Sequence, residues 1–168
     1  MIESIDPLEE TARAVMARVA ASVEVVTMRD ADGNPRGMTV SSLTPVSAES
    51  PTLLVCIGPA ASMRPSFVTG QAFCVNVLAS DQVDQSVGFA FGTEDPFEVF
   101  DWSPAADGTP ILAGTAAHLM CEIDRVVVYN ETAVVLARVT GGDVSKDETL
   151  VYWMQSYYGD LVPTAQEV

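Results

Sequence analysis

The chain of 168 residues and 17.8 kDa is long enough for one domain with a hydrophobic core and too short for two ordinary domains. With 48% hydrophobic and 18% charged residues, its composition excludes disordered and fibrous proteins. Twenty-three acidic residues against eight basic ones leave a net charge of −15, which disfavours nucleic acids and anionic membranes as partners.

The first predicted element is an amphipathic helix near the N-terminus. Asp6 is a suitable N-cap, and Pro7 stands at the first helical position, where proline is favoured. Apolar side chains then recur at helical spacing, at Leu8, Ala12, Val15, Met16 and Val19.

Short apolar and β-branched runs after this helix predict strands, and the turn residues 32–35 indicate a hairpin between the first two. Short helices are predicted from Ser62 to Gly70 and after a cap at Ser80, and residues 92–110 are predicted to form a surface loop. The predicted strands cover residues 23–28, 37–43, 52–57, 73–78, 117–129, 132–144 and 150–154.

This order of elements predicts a mainly β fold of one domain over residues 1–168. Six or seven strands with few helices favour an antiparallel β-barrel, closed or nearly closed, with an N-terminal helix and short capping helices. Closure would hide the edges of apolar strands, which invite aggregation when exposed. A β-sandwich stays open as the alternative, because strand counts do not separate the two architectures.

The cysteines and the N-terminus predict a cytoplasmic protein. Cys56, Cys74 and Cys121 lie far apart in apolar runs without a C-x-x-C pair, so we expect buried reduced thiols and no metal site. The N-terminus is acidic, whereas a signal peptide begins with positive charge. No stretch reaches the roughly 18 apolar residues that a membrane-spanning helix needs.

The sequence contains none of the common catalytic or phosphate-loop motifs. G-x-G-x-x-G, G-x-x-x-x-G-K, G-x-S-x-G and H-E-x-x-H are all absent. The single histidine, His118, lies in a predicted strand, and we interpret it as a core or rim residue. We therefore expect no catalytic side chain that acts as a nucleophile.

Two segments instead indicate binding of a small phosphorylated ligand. Residues 36–42 combine Arg36 with a glycine and several hydroxyl side chains, and residues 57–65 leave a predicted strand with Ser62 and Arg64 at a predicted helix start. Two of eight basic residues thus stand beside hydroxyl groups in a very acidic chain. An edge strand and a capped helix start explain the same residues without a ligand, and a β-barrel interaction protein remains the corresponding alternative.

The segments resemble the flavin reductase-like family, whose members include reductase components of two-component monooxygenases. The resemblance rests on Gly-Met-Thr-Val-Ser-Ser at 37–42, Ser-Met-Arg-Pro-Ser-Phe at 62–67 and Phe-Cys-Val-Asn-Val-Leu at 73–78, with further landmarks at Phe89-Ala90, 108–112, 150–152 and Tyr157. It extends from about residue 11 to residue 161.

The resemblance implies a split β-barrel that forms a homodimer and binds FMN, with FAD possible, near the dimer interface. NADH or NADPH would pass a hydride to the flavin, and the reduced flavin would supply a partner monooxygenase. Such chemistry depends on stacking and positioning rather than on a protein nucleophile. The flavin-binding residues that the resemblance implies are Met38, Thr39, Val40, Ser41 and Ser42 along the ring and ribityl chain, Cys56, Ile57 and Gly58 through their backbone, Ser62, Met63 and Arg64 at the phosphate, and Phe89 near the flavin.

One departure from the family pattern concerns the nicotinamide side of the site. The family usually has Gly-Asp-His or Gly-Thr-His where this chain has Asn130-Glu131-Thr132. The imidazole is missing, and Glu131 adds negative charge where an anionic dinucleotide would bind. The leading interpretation is an NAD(P)H:flavin oxidoreductase, and the alternative is a non-catalytic or weakly reducing FMN-binding flavoprotein.

Overall fold

A seven-stranded antiparallel sheet dominates the computed structural model, which describes residues 6–92, 94–146, 148–159 and 161. The helices are α1 (Pro7–Met16), α2 (Val83–Phe91) and α3 (Pro96–Val99), and a 3₁₀ turn covers Arg64–Ser66. The strands are β1 (Ala21–Ser22), β2 (Glu24–Arg29), β3 (Pro35–Val40), β4 (Thr44–Ser47), β5 (Thr52–Ile57), β6 (Ala72–Val77), β7 (Trp102–Pro104), β8 (Pro110–Leu112), β9 (Ala117–Tyr129), β10 (Thr132–Val144), β11 (Val151–Trp153) and β12 (Ser156–Tyr158).

The large sheet has the strand order β3-β2-β6-β9-β10-β5-β4, and every neighbouring pair is antiparallel. Two small sheets accompany it, β1-β11-β12 and β7-β8. Just beyond β3, the Ser42 hydroxyl accepts a hydrogen bond from the Cys56 N–H at 3.0 Å and donates to the Cys56 carbonyl at 3.2 Å. This contact joins opposite sides of the sheet, as a barrel requires and a two-sheet sandwich does not. The prediction of a mainly β split barrel is confirmed.

Alternating side chains of the same strands supply two separate hydrophobic clusters. Val26 and Met28 of β2 belong to the main cluster inside the barrel, which also contains Ile57 and Phe73. Val25, on the opposite face of β2, belongs to a second cluster with side chains from α2 and β8. Because both faces of β2 are covered, this strand is buried along nearly its whole length.

Several elements follow the sequence expectation closely. The Asp6 carboxylate accepts a hydrogen bond from the Leu8 N–H at 2.8 Å, so the predicted N-cap is confirmed. The two long strands β9 and β10 have the predicted bounds. Asn130 and Glu131 connect them in a two-residue turn with φ angles of 43° and 65°, the left-handed backbone of a tight hairpin.

The predicted helix from Ser62 to Gly70 is wrong. Only the three-residue 3₁₀ turn forms, because the Phe67 side chain enters the main cluster and draws the chain away from a helical path. The Ser80 cap is also wrong, since α2 begins after Gln82 and the Ser80 hydroxyl bonds to Glu148.

The prediction of a surface loop over residues 92–110 is wrong for the middle of this segment. There α3 and β7 form, with Asp95 capping α3 through a 3.0 Å hydrogen bond from the Phe97 N–H. Phe97, Phe100 and Trp102 pack against the second cluster, and this aromatic burial fixes the segment. Among the described residues, none of the helices is long and apolar enough to cross a bilayer.

Candidate functional site

The packing of α2 across the outer face of β3 shapes the surface around the first predicted segment. The Thr39 hydroxyl donates a 2.6 Å hydrogen bond to the Ser86 carbonyl of α2. A Cβ atom at Gly37 would lie 2.5 Å from the Phe89 ring, so only glycine allows this approach. The hydroxyl and the glycine of the segment therefore hold the helix against the strand.

Two cavities lie on either side of this contact and share Ala90. The first, of about 280 Å³, is bordered by Arg36, Gly37, Ser62, Met63, Phe89 and Phe97 among others. The second, of about 260 Å³, is bordered by Val23, Thr39, Val40, Ser41, Ser86, Phe91, Tyr152 and Tyr157 besides Ala90. Since ligand sites usually measure roughly 300–1,000 Å³, a nucleotide needs more room than either cavity alone offers.

The turn after β5 offers donors suited to a phosphate. The Nε atom of Arg64 is buried and has no hydrogen-bond partner within the described residues. The backbone N–H groups of Ser62 and Met63 likewise donate to no acceptor in the part of the chain that the structure describes. A buried guanidinium nitrogen without a partner is costly, and an anion beside it would remove that cost. The arrangement fits a phosphate group.

The ends of β3, β5 and β10 meet near these donors. The contact between Ser42 and Cys56 places the end of β3 beside the end of β5. Ala133 pairs with Ile57, so Thr132 at the start of β10 lies next to Gly58. The position where the family pattern has histidine is therefore adjacent to the second predicted segment.

The predicted flavin-binding residues fall into three groups in the structure. Ser62, Met63 and Phe89 line the first cavity, and Thr39, Val40 and Ser41 line the second. Met38, Ser42, Cys56, Ile57, Gly58 and Arg64 line neither cavity. The side chains of Val40, Ile57 and Met63 are buried in the main cluster, with Met38 packed against it, so Ile57 and Met63 could reach a ligand only through backbone atoms.

The sequence interpretation did not assign the aromatic wall of the second cavity to the site. Tyr152 and Tyr157 stack edge to face with ring centres 5.2 Å apart, and the Tyr157 and Ser86 hydroxyl groups are 3.0 Å apart. The tyrosines in the last apolar run were a visible signal, since aromatic side chains with a polar end commonly line ligand sites. Their position against β3 follows from the pairing of β1 with β11, which the sequence pattern does not reveal.

The remaining reactive side chains lie apart from the cavities. Burial raises the pKa of Cys74 and of Cys121 to about 12, so neither forms a thiolate at neutral pH. Cys56 is only half-buried, which differs from the expectation of three buried thiols. His118 borders neither cavity. No group of three or more His, Cys, Asp or Glu suited to a metal occurs among the residues that the structure describes.

Comparison with known proteins gives a family match over most of the chain. Residues 16–159 match the family model described as the flavin reductase like domain. A probable flavin reductase of Rhizobium meliloti is 34% identical over 156 residues, which cover 93% of this chain and 50% of the relative. The chain thus spans about half the length of that relative.

Two further proteins match over most of their length. The reductase subunit of a flavin-dependent monooxygenase from Rhodococcus jostii is 32% identical, with 94% of this chain and 80% of the relative covered. The NADH:FAD oxidoreductase of Streptomyces globisporus, solved in complex with NAD and FAD fragments, is 30% identical with a TM-score of 0.85, covering 98% of this chain and 99% of that one. The chain belongs to the flavin reductase-like family.

Proposed function

We propose that this protein is an NADH:flavin oxidoreductase that transfers hydride to FMN and supplies reduced flavin to a partner monooxygenase. Family membership supports this activity, as do the relatives described as flavin reductases and monooxygenase reductase subunits. The observation in the structure that carries the proposal is the buried Nε of Arg64, close in sequence to the N–H groups of Ser62 and Met63, all three without a hydrogen-bond partner among the described residues. These donors match the single terminal phosphate of FMN.

The chain's own residues would bind and orient the cofactor. Arg64, the Ser62 hydroxyl and the neighbouring N–H groups would hold the phosphate, while Thr39 to Ser42 would follow the ring and ribityl chain. Backbone atoms at Cys56, Ile57 and Gly58 and the ring of Phe89 would complete the apolar surroundings. When bound, FMN would supply the ring that accepts a hydride from the reduced nicotinamide. The protein then needs no nucleophile, and its contribution is alignment and exclusion of water.

Because Thr39, Val40 and Ser41 border the second cavity, it is our candidate for part of the space that the flavin ring occupies. Its tyrosines offer flat apolar surfaces, and the exposed Ser41 offers a hydroxyl group for a polar contact. The solved relative with NAD and FAD fragments supports NADH as donor and leaves FAD as a second flavin substrate. The weakly reducing flavoprotein remains the second candidate, because Thr132 stands beside Gly58 where the family has histidine.

We further propose that a second copy of this chain covers the outer face of β9, β10 and β5. Val127, 46% exposed, pairs with Val134, which pairs with Cys56 across the sheet. Tyr129, at the end of the same face, is 72% exposed. An apolar sheet face beside cavities too small for a nucleotide favours a homodimer whose partner chain walls the flavin site.

Two broader expectations also remain proposals. We interpret residues 1–168 as one reductase domain, supported by a family match that leaves only short segments at each end. A cytoplasmic location is supported by the three free cysteines, since oxidising compartments favour disulfides.

The purified protein mixed with FMN and NADH should consume NADH well above the rate of a mixture without protein. The decrease of NADH absorbance with time measures this rate. Bleaching of the flavin absorption under anaerobic conditions confirms that the hydride is transferred to the flavin. A protein that binds FMN tightly but shows no turnover with NADH or NADPH would establish the non-catalytic alternative instead.

Replacing Arg64 with alanine should weaken FMN binding by about 10- to 100-fold and riboflavin binding by less than about twofold, because only FMN carries the phosphate. Titration by flavin fluorescence quenching measures both affinities. Arg13→Ala, which removes an exposed arginine of α1 paired with Glu9, is the matched control and should change neither. Equal losses for FMN and riboflavin would remove Arg64 from the phosphate site.

In sedimentation analysis at micromolar concentration the protein should behave as a dimer, with twice the 17.8 kDa mass of one chain. Val127→Asp should shift it towards the monomer by placing a charge in the proposed interface. Val99→Asp, at a site 53% exposed on α3, which packs against α2 and β3 instead, should leave the dimer intact. A wild-type monomer would contradict both the dimer and a flavin site shared between two chains.

A further inference from the structure

One carboxyl group is buried at the start of β2 without an ionic partner among the described residues. Glu24 is 1% exposed, and its Oε2 atom has no hydrogen-bond partner within the described residues. The Ser22 hydroxyl donates to the other carboxylate oxygen. Burial raises the pKa of this group to about 7, whereas the bond from Ser22 acts in the opposite direction. Near neutral pH the group is therefore divided between a neutral and an ionised form.

The strands around Glu24 place no titratable group against it. Its partners in the sheet are Val40 of β3 and Val77 of β6, and Ala117 of β9 follows next in register. Alternation puts Cys74 of β6 and His118 of β9 on the opposite face of the sheet. The arginines of β2 and β3, Arg29 and Arg36, stand at the far end of those strands. Within the described residues, these strands bring no cation against Glu24 to compensate for its ionisation.

Other charged and titratable groups near β1 come from α1, β11 and the segment before β11. Arg13 of α1 pairs with Glu9 at 2.5 Å, and Arg18 donates to the Ala14 carbonyl. Tyr152 of β11 pairs with Ala21 of β1. The exposed Glu148 lies before β11 and bonds to Ser80. None of these forms a hydrogen bond with Glu24.

The Ser22 contact connects Glu24 to the second cavity. Ser22 pairs with Val151, and Ala21 pairs with Tyr152, so β1 holds β11 in place. The Tyr152 ring borders the second cavity beside Thr39 and Ser41. A movement of Glu24 would therefore be transmitted to the second cavity through the short strands β1 and β11.

We propose that Glu24 is a positioning residue: while its buried carboxyl is neutral, the start of β2 stays dry and β1 and β11 stay closed over the second cavity, and loss of its proton to water brings water in and loosens them. The carboxylate then requires hydration, which the apolar neighbours Val40 and Val77 cannot provide. The closed arrangement is favoured below the ordinary pKa of glutamate, and this preference is lost as the pH rises through about 7. The inference rests on the proposed function only for its effect on flavin and nicotinamide binding.

The first test follows amide hydrogen exchange of the full-length protein in β1 and β11 at about pH 6 and about pH 8.5. After correction for intrinsic exchange rates, protection in the wild type should fall by at least about threefold at the higher pH. Glu24→Gln mimics the neutral acid and should keep its protection at both. Glu49→Gln, at an exposed glutamate in the turn between β4 and β5, is the matched control and should behave like the wild type. Identical protection in wild type and Glu24→Gln at the higher pH would overturn the proposal.

A second measurement tests whether the contact between Ser22 and Glu24 affects ligand binding at the proposed site. The wild-type dissociation constant for FMN, or the KM for NADH, should rise by about threefold to tenfold over the same pH interval, and Glu24→Gln should flatten this profile. Ser22→Ala, which alters an exposed residue and keeps Glu24, should reduce protection of β11 already at the lower pH. If no flavin binds at any pH, the proposed function fails while hydrogen exchange still decides the role of Glu24. A flavin-binding protein with unchanged pH profiles in Glu24→Gln would contradict the link to the site.

Discussion

The closure between the Ser42 hydroxyl and the Cys56 backbone is the constraint on which the proposed site depends. It fastens the end of β3 to the end of β5, two strands that lie far apart in the order of the sheet. The turn that follows β5 contains Arg64, whose Nε has no hydrogen-bond partner among the described residues. A strand end with hydroxyl groups and the turn with the proposed phosphate donors thereby share one edge of the barrel, and α2 packs on this edge through its contact with Gly37.

Much of the fold was predictable because local patterns and tertiary structure agree. The β9 and β10 runs are long and apolar around a two-residue turn, and Asp6 followed by Pro7 marks a helix start. The errors occur where tertiary packing overrides local signals. Phe67 packs into the core, and only a 3₁₀ turn forms where the pattern predicts a helix. Between residues 92 and 110 the prolines favour a loop, but the packing of aromatic side chains orders the segment.

The site was predictable to a smaller extent. The hydroxyl and arginine residues of 36–42 and 57–65 stand out in an acidic chain, but their individual roles come from the family resemblance. The structure adds the cavities and the free donors, which no spacing reveals. The position of Tyr152 depends on the short β1–β11 pairing. A two-residue strand has too little pattern to predict its partner, so the sequence shows the tyrosines but does not place them against the second cavity.

The most direct measurement for this account is a crystal structure of the protein with FMN. The account predicts the phosphate within hydrogen-bond distance of Ser62 and Arg64, with the isoalloxazine ring along residues 39–42. A phosphate bound away from both Ser62 and Arg64 would contradict it, even if the flavin were present elsewhere on the barrel.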